Sequence, residues 1–334
     1  MRAMLLKKFA PIGKNPLELV DLPIPEPGPE DVLLRIKVCG VCHTDLHTVE
    51  GELPEVKLPI IPGHEVVGIV ERQGKKASRF KEGERLGVAW LYSSCGCCGF
   101  CSRGLENLCE NARFTGYHVN GGYAEYMVVP EKFAYRIPGI FSDREAAPLL
   151  CAGIIGYRAL RLSEIKPGER LGLYGFGASA HVAIQVAVHW GCKVCVFSRS
   201  EEHRALARKL GAVWTGSSKD DPPQKIQSSI IFAPAGEIVL DALRLTEKGG
   251  AVVLAGIYMT PIPEMDYMRY LYHERTLRSV ANATRRDGEE LLRIAAEIPI
   301  RTTTEVYSLE EANRVLQLLK AGKINGAAVL KISD

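Results

Sequence analysis

Between residues 95 and 109 four cysteines, Cys95, Cys98, Cys101 and Cys109, stand in the spacing Cx2Cx2Cx7C. Four thiolates so close in sequence make a closed tetrahedral zinc site, which leaves no open coordination position and therefore no chemistry. Its work is to hold a lobe that has few apolar residues for a core of its own. A rubredoxin-type iron site would need two separated CxxC pairs, and this run does not provide them. The chain has ten cysteines, and five fall inside the lobe because Cys97 is an extra thiol within it. The opening MRAMLLKKFAPIG has too short an apolar run for a secretory signal, so clustered thiols point to metal rather than to disulfides. A cytoplasmic location is the expectation.

A second cluster lies upstream. The stretch CGVCHTDLH, Cys39 to His47, packs a thiol (Cys42), two imidazoles (His43, His47), a hydroxyl (Thr44) and a carboxylate (Asp45) into one turn. Those are the materials of a catalytic zinc with a proton exit. About twenty residues on, PGHEVVG sets His64 and Glu65 before an apolar strand. Cys42 and His64 can be two ligands, with Asp45 and Glu65 as carboxylates that orient the His64 ring and tune the metal. Cys151, in LLCAG, reads on its own as a small buried cysteine on an apolar helix.

At 334 residues the chain exceeds what one core usually supports, so two domains are expected. A net charge of +3, with no basic run interleaved with aromatics, does not suggest nucleic acid, and no long uncharged apolar stretch suggests a membrane. Residues 1 to 38 are short strands broken by the proline-rich LPIPEPGPED. From Arg170 the pattern becomes strand, glycine turn, helix, strand, helix. Gly175 and Gly177 allow the tight turn and the approach of a pyrophosphate, and Ala180 allows close helix packing.

The strand KVCVFSRS would end in an acid if it served a free ribose; it ends instead in Ser198 and Arg199. No carboxylate is there to repel a 2′-phosphate and a guanidinium is there to pair with one, so NADP is favoured over NAD. The alternative is that Glu201 or Glu202 serves the ribose. The expected fold is α/β: a β-rich catalytic domain over 1–149, to which 285–334 return, and a doubly wound parallel-sheet cofactor domain over 150–284. Helices are expected over Glu237–Leu245, Asp287–Glu297 and Leu309–Ala321.

Taken together, CGVCHTDLH, PGHEVVG, the four-cysteine lobe, LLCAG and the glycine turn resemble the zinc-containing medium-chain alcohol dehydrogenases, nearer the yeast and bacterial type than the liver type. The resemblance implies a GroES-like catalytic domain beside a Rossmann domain and two zinc ions per chain. Cys42, His64 and Cys151 would ligate the catalytic ion. Thr44 and His47 would form a proton relay, His43 would meet the cofactor pyrophosphate, and Glu65 would approach the metal during ligand exchange. Trp90 falls where a large aromatic faces the substrate.

The chain departs from the family at Glu84, usually Asp, and at Ala327, where an arginine usually reaches the pyrophosphate. The implied reaction is reversible oxidation of a primary aliphatic or aromatic alcohol with NAD(P) in a homodimer or homotetramer. A polyol or cinnamyl-type oxidoreductase of the same fold, or a zinc-ribbon binding module, are the alternatives.

Overall fold

A computed structural model of the protein describes residues 1–333. The chain forms two compact units, one from Met1–Cys151, Thr284–Ala296 and the residues from Arg301 onward, the other from Ala152–Ala283 with Glu297–Ile300.

In the first unit the long strand Asp31–Val41 is the axis of a seven-stranded sheet. Glu65–Gln73 pairs antiparallel along most of its length, Tyr126–Pro130 takes its first half, and Ala327–Lys331 takes its last residues. Arg85–Val88 and Ala134–Arg136 extend one side, and Thr304–Ser308 lies parallel to Ala327–Lys331 on the other. Beta-branched and leucine side chains such as Leu34, Ile36, Val66, Val70 and Leu86 fill the core, as expected for pleated strands with one face packed inward. The register sets Gly40 opposite Glu65. A side chain at Gly40 would collide with the Glu65 carboxylate, so the glycine is what lets a buried acid stand at the strand end.

The second unit is a six-stranded, all-parallel sheet. In space the strands run Trp214–Gly216, Lys193–Phe197, Arg170–Tyr174, Ile226–Ile231, Thr246–Leu254, Thr276–Ser279. In order of appearance along the chain that is 3-2-1-4-5-6, the doubly wound dinucleotide-binding order with its switch point beside the first strand. The expected GroES-like plus Rossmann fold class holds. Among the described residues no helix is long and apolar enough to cross a membrane.

Candidate active site and metal centres

Where the strand Asp31–Val41 ends, Cys42 begins the helix His43–Glu50. Its backbone is extended, its Sγ accepts the Thr44 N–H at 3.3 Å, and its own N–H donates to Asp45 Oδ2 at 2.9 Å, a reciprocal capping box. The other Asp45 oxygen accepts from His64 Nδ1 at 2.9 Å and from the Gly63 N–H at 3.2 Å. Fixed through Nδ1, the His64 ring presents Nε2 to Cys42 Sγ at 3.2 Å, and Cys151 Sγ is 3.9 Å from the same sulfur. One ligand atom each from Cys42, His64, Glu65 and Cys151 lies within 4.8 Å of the others. His64 and Glu65 are buried.

These groups compete for protons. A hydrogen bond from Cys151 holds the Cys42 thiol well below its ordinary range against the cost of burial, with His64 adding to it. The same bond, then burial, push Cys151 well up. Burial opposes charge on His64, but Asp45 and Cys42 outweigh it and raise its pKa well above that of a free imidazole. Burial and the Cys42 thiolate raise Glu65. Two cysteine sulfurs, an imidazole and a carboxyl converging here form a donor set that a divalent metal would satisfy, and three of them are the Cys2His complement of a catalytic zinc with a position left open.

In the downstream lobe the sulfurs of Cys95, Cys98, Cys101 and Cys109 also lie within 4.8 Å of one another. Cys95 is 3.9 Å from Cys101 and 3.5 Å from Cys109. Backbone N–H groups of Cys97 and Cys98 lower the Cys95 thiol to about 6, which suits a sulfur that binds metal as thiolate. Cys97, the extra thiol, stands outside this quartet and is exposed. Inside the lobe Glu106, which sequence reasoning missed, is buried and accepts from the Arg285 backbone at 2.8 Å and from its Nε and Nη2 at 2.9 and 2.5 Å. The Arg285 guanidinium also lies over the Phe133 ring at 4.6 Å.

The structure places the other expected residues as follows. Thr44 is buried in the first turn of the helix; His47, one turn later, is half-buried, and His43 is exposed. Trp90 meets the His64 ring edge-on at 4.9 Å and stacks on Phe114 at 5.3 Å, with Tyr117 at 5.5 Å. His118 continues this wall, 4.4 Å from Tyr117. Phe114, Tyr117 and His118 also went unread in the sequence, although aromatic side chains clustered just after the metal lobe are a signal that could have found them.

In the second unit Gly175 has φ +83°, and a side chain there would press on the Ala233 backbone at 3.0 Å. Gly177 precedes the helix Ala178–His189, and a side chain on it would meet nothing within 4 Å. Packing within the chain thus does not demand that glycine, and open space at a helix N-terminus suits a pyrophosphate. Ala180 is fully buried. Ser198 and Arg199 follow the strand Lys193–Phe197, Arg199 exposed. Arg204 donates to the Ser198 carbonyl at 3.0 Å and pairs with Glu201 at 2.8 Å, and Arg208 holds Glu201 from the other side at 2.5 Å.

Two family models match the chain: the alcohol dehydrogenase GroES-like domain over residues 28–139 and the zinc-binding dehydrogenase domain over 180–297. The fold and site thus define a zinc-binding dehydrogenase. Two similar curated proteins narrow the class. One, named "Probable alcohol dehydrogenase AdhA", from Mycobacterium tuberculosis (strain CDC 1551 / Oshkosh), is 46% identical over 99% of this chain and 97% of its own length. An alcohol dehydrogenase of Geobacillus stearothermophilus is 39% identical over 99% of this chain and 100% of its own. Among solved structures, a cinnamyl alcohol dehydrogenase of Sorghum bicolor superposes with a TM-score of 0.88 at 28% identity, over 99% of this chain and 97% of that one. The chain belongs to the zinc-containing medium-chain alcohol dehydrogenase family.

Proposed function

We propose that the protein reversibly oxidises primary alcohols, aliphatic or aromatic, to aldehydes, with NADP preferred over NAD and two zinc ions per chain. One observation carries the reading: Cys42 and Cys151, both half-buried, converge on the buried His64 with the buried Glu65 beside them. Those three would hold the catalytic ion, and Cys95, Cys98, Cys101 and Cys109 the structural one. A zinc ion with an open position supplies a Lewis acid for an alcohol or aldehyde oxygen.

The chain's own residues do the rest. Asp45 fixes the His64 tautomer so that Nε2 is the free nitrogen. Trp90, against His64, gives the substrate an aromatic wall that excludes water. Thr44 and His47 stand three residues apart on one helix face, so a proton taken at the buried Thr44 hydroxyl has an exit at the half-buried His47 ring. Glu65, within reach of the same ligand atoms, would compete for the metal as ligands exchange.

For the cofactor, Ser198 and Arg199 follow directly on the second strand of the dinucleotide unit, and Glu201, the acid that could otherwise serve a ribose, is held by Arg204 and Arg208. That arrangement favours a 2′-phosphate. A cinnamyl-type alcohol or aldehyde is the second reading, favoured by the Trp90, Phe114 and Tyr117 wall. The reading includes a homodimer or homotetramer, for which exposed Tyr258, Tyr267 and Met268 supply apolar surface.

Initial rates with NAD and with NADP, on one aliphatic and one benzylic primary alcohol, test it. The expected result is kcat/KM about tenfold or more higher with NADP, the worth of a hydrogen bond to a charged group. Preference for NAD sinks the assignment of Arg199, and no turnover with either cofactor sinks the enzymatic reading.

A further inference from the structure

The helix His43–Glu50 ends in a turn that folds the next residue back onto it. Gly51, at φ +74°, donates its N–H toward the carbonyls of His47 and Thr48, and the Glu52 N–H reaches the His47 carbonyl at 3.0 Å. This is the Schellman closure of a helix, which depends on a residue that tolerates left-handed backbone. A side chain at Gly51 would also run into the Phe9 ring, 2.8 Å from its Cγ. The turn is therefore built around this glycine, and it brings Glu52 beside the imidazole one turn back. Glu52 Oε2 is 2.5 Å from His47 Nδ1.

The other charged groups around that ring are otherwise disposed. Glu50 accepts from Lys320 Nζ at 2.7 and 2.6 Å and from the Ile12 N–H at 2.8 Å. The His43 ring is 6.4 Å away, centroid to centroid. On energy alone an exposed carboxylate paired with a histidine contributes little to stability. Its effect on which nitrogen carries the proton is larger, because a carboxylate only accepts.

We propose that Glu52 is the positioning residue of the proton exit, fixing His47 as the Nδ1–H tautomer so that Nε2 holds the lone pair that receives the proton. This rests on the reading of His47 as the relay's last group. A proton arriving at Nε2 makes an imidazolium that stands against a carboxylate. The proton on Nε2 then passes to water, which the His47 side chain meets at 22% exposure, and the neutral Nδ1–H ring is restored with Glu52 still charged and still accepting. A carboxylate that orients an imidazole in this way need not itself be protonated.

The test uses the zinc-loaded enzyme with Glu52→Ala, Glu52→Asp and His47→Ala. Expected for Glu52→Ala is a kcat about tenfold lower, a modest share of what acid–base groups supply, with KM for the alcohol within about twofold, and recovery of most of the rate in Glu52→Asp. Nitrogen-15 spectra of the imidazoles, with His47 assigned by its loss in His47→Ala, should show Nδ1 protonated in the wild type and a mixture of tautomers in Glu52→Ala. A wild-type ring protonated at Nε2, or an unchanged kcat in Glu52→Ala while His47→Ala is slow, overturns the role of Glu52 alone. If His47→Ala is as fast as wild type, the relay reading fails and Glu52 with it.

Discussion

Asp45 accepts hydrogen bonds from three places in the chain: the N–H of Cys42, the N–H of Gly63 and Nδ1 of His64. It is buried, and both oxygens are used as acceptors only. An amide cannot replace it, because whichever way an asparagine is turned, its NH2 group faces an N–H. Asp45→Asn should therefore lower zinc affinity roughly ten- to a hundredfold, the usual cost of losing the group that orients a metal-bound histidine. Competition with a chromophoric chelator measures this, and unchanged affinity would show that His64 is held without Asp45. Cys42, His64 and the four lobe cysteines were legible in the sequence because their types are rare and their spacing close. Glu52 was not, since its contact with His47 exists only once Gly51 has turned the chain; Phe114, Tyr117 and His118 cluster in the sequence, but that they stack against Trp90, more than twenty residues earlier, does not show there.

The metal lobe is fixed to its unit by more than sulfur. Glu106 and Arg285 are 179 residues apart and make one backbone and three side-chain bonds, with the helix Arg285–Glu297 thereby anchored at its first residue. Glu106→Gln keeps the shape but removes the charge, and should cost about 2 kcal/mol, the scale of hydrogen bonds to charged groups. A melting curve of the zinc-saturated protein checks this, the expected result being a Tm lower by several degrees with both metals retained. Pairings of such sequence separation leave no local pattern, so the clamp could not be read in advance. Elements with a strong period could: the helix expected at Glu237–Leu245 has those bounds, the one expected from Asp287 starts two residues earlier, and the last is a single 3-10 turn, Leu309–Glu311, leading into Ala312–Lys320. The first turn tightens there because the Ser308 and Glu311 side chains cap each other's backbone.

At the scale of the whole chain, alternation of strands and helices announced a parallel sheet, and right-handed crossovers restrict the possible orders to a few, among them the 3-2-1-4-5-6 seen. The first unit also holds two clusters that could each bind a metal, of different character, and that difference makes a prediction for the molecule as a unit. In the lobe four cysteines would close the coordination sphere of a zinc ion; Cys42, His64 and Cys151 would commit only three protein donors, so a chelator would have a coordination position through which to attack. The second centre should therefore lose its ion first, even though His64 is fully buried and Cys95 exposed. Titration with a tridentate chelator, following zinc content, turnover and melting on the same samples, should remove one equivalent with loss of turnover and little change in Tm. The second equivalent, displaced under harsher conditions, should lower Tm sharply, because four cysteines and a lobe with few apolar side chains lose the ion that organises them. Turnover and Tm falling together from the first equivalent would mean that the lobe gives up its metal as readily as the open site.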